Sequence, residues 1–176
     1  MIIKYLLSFL LCAAPLAAWA ADGRDPHLHF FNLNSGDLKA ELADAKSAGK
    51  QAMFVMFEQE GCPGCLHMKE HVLNQPEVQR FYRDRFVNLS IDIFGAVPVT
   101  DFAGRSLTEK TYAQAVRVEG TPMLVFHDLA GNEVLRILGP VKDADEFLLL
   151  GEYVASGAYR TRNFAEYKQS RTRKGS

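Results

Sequence analysis

Cys62 and Cys65 are the residues in this 176-residue chain whose type and spacing point most directly to chemistry. Two cysteines three apart cannot staple distant parts of a fold, so they are not a structural disulfide framework. A thiolate, not a thiol, attacks a disulfide. At the start of a helix, Cys62 would face unpaired backbone N–H groups and the positive end of the helix dipole, and both favour the anion. Cys65 would sit one turn on, close enough to attack a mixed disulfide at Cys62 and release its partner. The spacing therefore makes Cys62 the nucleophile and Cys65 the resolving thiol. Zinc is the competing use of this stretch, with His67 and His71 as further ligands. On one continuous helix, however, the two histidines share a face roughly 120–160° away from Cys65, at about 100° per residue. They cannot close a tetrahedron with it, and no metal is expected.

Such a pair needs a rigid strand before it and a helix after it. Ala52 to Phe57 is a short continuous apolar run, the pattern of a strand buried on both faces with parallel pairing. Pro63 suits the first position of a helix, where its missing N–H costs little. Leu66, Val72 and Leu73 supply that helix with apolar contacts as far as Asn74-Gln75-Pro76, and a second helix starts near Pro76 with Val78, Phe81 and Tyr82 on one side.

Elsewhere, His27 to Leu33 reads as a short edge strand. Ser35 or Asp37 caps a helix from Leu38 to Ala48, and Gly49 stops it. Phe86 to Ile93 is a strand, and Phe94 to Arg105, with two glycines and a proline, an irregular insertion. Thr108 caps a short helix to Val116. Pro122 to His127 and Glu133 to Leu138 form an antiparallel hairpin about the turn at Gly131. Asp143 or Asp145 opens a last amphipathic helix. The order β-α-β-α-β-α-β-β-α predicts an α/β fold, with a mixed central sheet, helices on both faces and a C-terminal hairpin plus helix.

Composition is that of an ordinary globular domain, with 48% hydrophobic and 23% charged residues. A net charge of −1 gives no global field for nucleic acid. Lys4, the apolar run Tyr5 to Leu11 and Ala18-Trp19-Ala20 form an export-signal pattern. The expectation is a signal peptide over residues 1–20 cleaved after Ala20, which removes Cys12, and a domain over 21–158. Export puts the remaining cysteine pair where disulfides form and persist. The tail, 159–176, carries six Lys/Arg against one Glu. It reads as a solvated end, as a contact for an acidic partner or membrane surface, or, through Phe164 and Tyr167, as a helical turn packed on the body.

A strand, Cys-x-x-Cys at a helix start, and then Gly120-Thr121-Pro122 opening the hairpin of Pro122 to His127 and Glu133 to Leu138 together resemble the thioredoxin superfamily. The resemblance covers roughly Phe30 to Ser156. Four segments bring it nearest to periplasmic thioredoxins associated with bacterial sulfur oxidation (Sox): Phe57 to Gly61 leading into Cys-Pro-Gly-Cys, Val99 to Lys110, the Thr-Pro segment, and Tyr153 to Tyr159. The resemblance implies a cis-Pro122 facing the cysteines. It implies a substrate groove bordered by Pro63, Gly64 and Thr121, with the Thr121 backbone hydrogen-bonding an extended substrate. The implied activity is thiol–disulfide exchange without a cofactor beyond the Cys62–Cys65 pair. Its substrates would be exported protein disulfides, and its electrons would come from an inner-membrane thiol transporter of the DsbD or CcdA type. A periplasmic monomer acting as a reductase is expected, with a disulfide oxidase or isomerase and a non-catalytic binding module as the alternatives. The chain departs from cytosolic thioredoxin at Met56, which stands where the family keeps a buried aspartate that accepts the resolving cysteine's proton. Glu58 could substitute as proton acceptor or could be a solvated carboxylate at a loop entry, and the sequence leaves both open.

Overall fold

The computed structural model describes residues 24–172. Its centre is a four-stranded sheet in the order β2-β1-β5-β6. β1 (Ala52–Glu58) pairs in parallel with β2 (Phe86–Asp92) and antiparallel with β5 (Met123–Asp128), and β5 pairs antiparallel with β6 (Glu133–Leu138). The apolar run that forms β1 is buried from Ala52 to Phe57. Its side chains alternate between two cores, as the period of two requires. Ala52, Phe54 and Met56 join one cluster, and Met53, Val55 and Phe57 the other.

On the second face lie α2 (Leu38–Ser47), α5 (Glu109–Ala115) and a small hairpin of β3 (Pro98–Thr100) and β4 (Ser106–Thr108). Asp37 caps α2 by accepting from the N–H groups of Lys39 and Ala40, and Gly49 takes a positive φ just beyond it. Thr108 and Thr111 cap α5 reciprocally. The stretch 94–105, expected to be irregular, instead contains β3 and turns back into β4. Buried Asp101 closes this hairpin by accepting from the N–H groups of Ala103 and Arg105 and pairing with the Arg105 guanidinium.

On the first face lie α3 (Pro63–His67), α4 (Pro76–Arg85), α6 (Ala144–Ala155) and α7 (Phe164–Thr172). Tyr82 joins α4 to α6. Its ring stacks on Phe147 at 4.2 Å and its hydroxyl donates to the Phe147 carbonyl at 2.7 Å. Of the tail readings, the packed one describes residues 164–172. Tyr167 is buried against Tyr153, ring centroids 5.4 Å apart, and the acids of α6 face the tail's bases in the pairs Glu146–Lys168 and Glu152–Arg171.

Two further elements differ from expectation. His27 to Leu33 is not a strand. Asp25 accepts from the His27 N–H and Pro26 opens a single helical turn, α1 (Pro26–His29). The segment meets the edge of β2 at Asn88, where the Asn32 N–H donates to the Asn88 carbonyl and the Asn32 Oδ1 accepts from the Asn88 N–H. The helix after the cysteines is also not uniform. α3 passes at Met68 into a π turn over Met68–Val72, with the Leu73 N–H bonded to the Met68 carbonyl. The wider turn buries Met68, Val72 and Leu73 together, whereas Leu66, expected to face the core, is 54% exposed.

Candidate active site

The carboxyl end of β1 delivers the chain to the cysteines through Gln59, Glu60 and Gly61, and Gly61 has a positive φ of 70°. Cys62 is the N-cap of α3 and Pro63 follows at the first helical position. The Cys65 N–H donates to the Cys62 Sγ at 3.1 Å, so a backbone donor of the helix start faces the Cys62 sulfur. The two cysteines form a disulfide with Cα atoms 5.2 Å apart. Cys62 is 8% exposed and Cys65 3%. Cys62 is the less deeply buried of the two residues.

Pro122 lies opposite. The Thr121–Pro122 peptide is cis, and Met123 directly after it pairs with Phe57 at the end of β1. This register brings the Thr-Pro segment beside the cysteine loop. The closeness can be measured at Gly64, where an added Cβ would lie 2.9 Å from the Pro122 ring and 3.2 Å from the Pro140 ring. Gly64 is thus the residue whose lack of a side chain lets α3 approach Pro122. Pro63 is exposed, Gly64 and Thr121 are half-buried, and Pro122 is buried.

On the other side of the disulfide is a cavity of about 380 Å³ whose walls include Glu58, Glu60, Cys62, Cys65, Leu66 and Lys69. Glu58 ends β1 two residues after Met56 and therefore points to the same face of the sheet, the face carrying both cysteines. Its Oε2 pairs with the Lys69 Nζ at 2.5 Å, and its Oε1 accepts from the Ser90 hydroxyl. With its side chain only 14% exposed, Glu58 is not the freely solvated carboxylate of the blander reading. Met56 is fully buried and offers no proton acceptor. Two more carboxylates stand near Glu58. Asp92 is its register partner on β2, and Glu109 approaches from α5. Burial pushes the Glu109 carboxyl above its ordinary range, and the Asp92 and Glu58 charges add to this.

His67 and His71 lie with ring centroids 5.3 Å apart. The His67 Nε2 is 3.1 Å from the Val141 carbonyl, which turns that ring towards the loop before α6. The described residues hold no group of three or more His, Cys, Asp or Glu side chains arranged for a metal.

Residues 38–155 match the thioredoxin-like domain family. The chain belongs to that family. It is 29% identical over 131 residues to the thiol:disulfide interchange protein DsbD of Cronobacter sakazakii, covering 71% of this chain but only 20% of DsbD. It is also similar to a thioredoxin from Thermus thermophilus, 31% identical with a TM-score of 0.52 over 67% of this chain and 83% of that one. The oxidised C-terminal domain of DsbD from Neisseria meningitidis is 25% identical, with a TM-score of 0.51 over 71% of this chain and 98% of that one. The family is one of thiol–disulfide oxidoreductases, and this thioredoxin-like chain carries its Cys-x-x-Cys pair intact.

Sequence reasoning passed over Lys69, Ser90 and Pro140. Lys69 had a usable signal, because it lies four residues after Cys65 and so on the same helix face. Ser90 and Pro140 had none. They reach the site from β2 and from the loop before α6, and only the packed sheet brings them there.

Proposed function

We propose that this chain is an exported thiol–disulfide oxidoreductase that reduces protein disulfides with the Cys62–Cys65 dithiol. The observation that carries the reading is the bonded pair itself. Its outer sulfur is held at a helix start, its inner sulfur is buried, and Pro122 lies against the turn between them. The Cys62 thiolate attacks one sulfur of a substrate disulfide. That S–S bond breaks, the other substrate sulfur leaves as a thiolate and takes up a proton, and a mixed disulfide remains. Cys65 loses its proton to Glu58, and its thiolate attacks the Cys62 sulfur. The second substrate thiol is released and the enzyme is left as the disulfide. Two electrons have moved from the enzyme to the substrate.

An extended substrate segment lies along Thr121 and Pro122, with Pro63 and Gly64 as the opposite wall. Exposed Leu66 and Leu138 offer apolar contact on either side. The likeness to the DsbD C-terminal domain supports an electron-transfer setting, and a membrane thiol transporter of the DsbD or CcdA type would regenerate the dithiol. The Sox-associated subgroup and a periplasmic monomer belong to the same proposal. Its support for export is the leader pattern, which lies outside the described residues, as does Cys12. Among the described residues no helix is long and apolar enough to cross a membrane.

Two measurements test this. A Cys65→Ser variant, unable to resolve, should accumulate mixed disulfides through Cys62 with exported proteins. If only noncovalent partners are captured, the chain is a binding module. The reduction potential of the pair, read by equilibration with glutathione, should lie near or below about −220 mV, whereas a value near about −120 mV would make the chain a disulfide donor.

A further inference from the structure

The cavity beside the disulfide is lined by two carboxylates, Glu58 and Glu60, and one ammonium, Lys69. Beyond its walls Asp92 and Glu109 add negative charge on the Glu58 side. A Cys62 or Cys65 thiolate formed here would share the cavity with two carboxyl groups, Glu58 and Glu60, and two more stand behind Glu58. Lys69 is the cation set among them. It stands four residues after Cys65 on the same helical run, just inside the change from α to π geometry at Met68. Local π turns of this kind are often found at functional sites. Only 23% of the Lys69 side chain is exposed, so its Coulomb field is less screened than that of a surface lysine.

We propose that Lys69 is a positioning residue for thiol–disulfide exchange, its ammonium fixing the Glu58 carboxylate at the cavity wall and offsetting the negative charge that a thiolate of the Cys62–Cys65 pair would meet. The inference rests on the oxidoreductase reading above. Ser90 holds one Glu58 oxygen and Lys69 the other, and each oxygen keeps a lone pair free to receive the Cys65 proton. Lys69 and Glu58 act on the thiols with opposite sign. Removing the ammonium alone disfavours the thiolate, and removing the carboxylate alone favours it.

The test is the pH titration of the thiolate by ultraviolet absorbance in the reduced protein, alongside its rate of disulfide reduction. Lys69→Met should raise the thiolate midpoint by roughly half to one pH unit and slow reduction near neutral pH about two- to fivefold, since a more basic thiolate partly compensates by its nucleophilicity. Lys69→Arg should restore both. Glu58→Gln should lower the midpoint yet still slow reduction, because the proton acceptor is gone. Wild-type protein that fails to exchange disulfides at all would defeat the functional reading. Wild-type exchange with a Lys69→Met midpoint equal to the wild type's would overturn the role of Lys69 alone, as would a slowing that Lys69→Arg does not rescue. Thermal melting of the same variants separates misfolding from both results.

Discussion

Gly64 is a residue of the site with no room for a side chain. The atoms that a Cβ would meet belong to two proline rings, Pro122 and Pro140, and neither can swing aside as a flexible side chain would. Gly64→Ala must therefore push the first turn of α3 away from Pro122. Overpacking of this kind costs about 1–3 kcal/mol, and the turn that moves carries both sulfurs. We expect a lower urea midpoint and disulfide reduction slowed by more than the loss of stability explains. An alanine variant reducing substrate at the wild-type rate would show that contact between the two walls is not needed. Gly61 tests the alternative that any glycine here is critical. No atom lies within 4 Å of an added Cβ there, so the cost of Gly61→Ala comes from its positive φ alone.

At the scale of elements, α7 turns a basic tail into part of the body. Tyr167 is 5% exposed, and Tyr153 of α6 meets both its ring and that of Phe164, while the ion pairs to Glu146 and Glu152 sit at the rim. Exposed pairs contribute little and are screened by salt, so apolar burial dominates. Tyr167→Ala should destabilise the protein by on the order of 3 kcal/mol, read as a shift of the urea midpoint. Raising the ionic strength on the wild type should move that midpoint far less. A salt effect equal to the tyrosine's would mean that charge, not burial, holds the helix. The Phe164 and Tyr167 spacing made this packing one of three open readings, but the acidic partner was hidden. Glu146 and Glu152 lie on another helix, and nothing local to the tail points to them. The edge of β2 shows the same limit. Alternation in His27 to Leu33 suggests a strand, yet capping by Asp25 and the fixed φ of Pro26 start a helix first.

For the molecule as a whole, His127 sets an acid limit. It lies on β5, 5% exposed, with its ring 4.9 Å from that of Phe102 and its Nδ1 without a hydrogen-bond partner among the described residues. Burial lowers its pKa from 6.5 to about 4, against the opposing pull of Glu133. The unfolded chain therefore binds a proton that the folded one refuses between these values. Stability is full above about 6.5 and falls as pH drops towards 4, by on the order of 3 kcal/mol in all. Glu133 and Glu146, held low by hydrogen bonds from Arg136 and Lys168, keep their contribution down to about 4.5 and lose it as pH falls from there through their folded values. Glu109, pushed up by burial, works in the opposite direction above 4.5. The histidine is therefore isolated by difference. His127→Leu should flatten the urea-midpoint profile between pH 6.5 and 4, and an equally steep profile in the variant would assign the loss elsewhere.

The sequence by itself determined what is local. An apolar run followed by Cys-Pro-Gly-Cys defines strand, cap and helix start, because capping chemistry and a proline at the first helical position act within a few residues. The hairpin from Met123 to Leu138 was legible for the same reason, since alternation and Gly131 lie in one short stretch. The tertiary structure alone decided what crosses between elements. It set Pro122 and Pro140 against Gly64, and Ser90 and Lys69 on the two oxygens of Glu58. Those contacts depend on the register of β1 with β2 and β5 and on the π turn after α3. Both are settled when the two faces of the sheet are buried together, because no stretch of sequence contains both partners of such a contact.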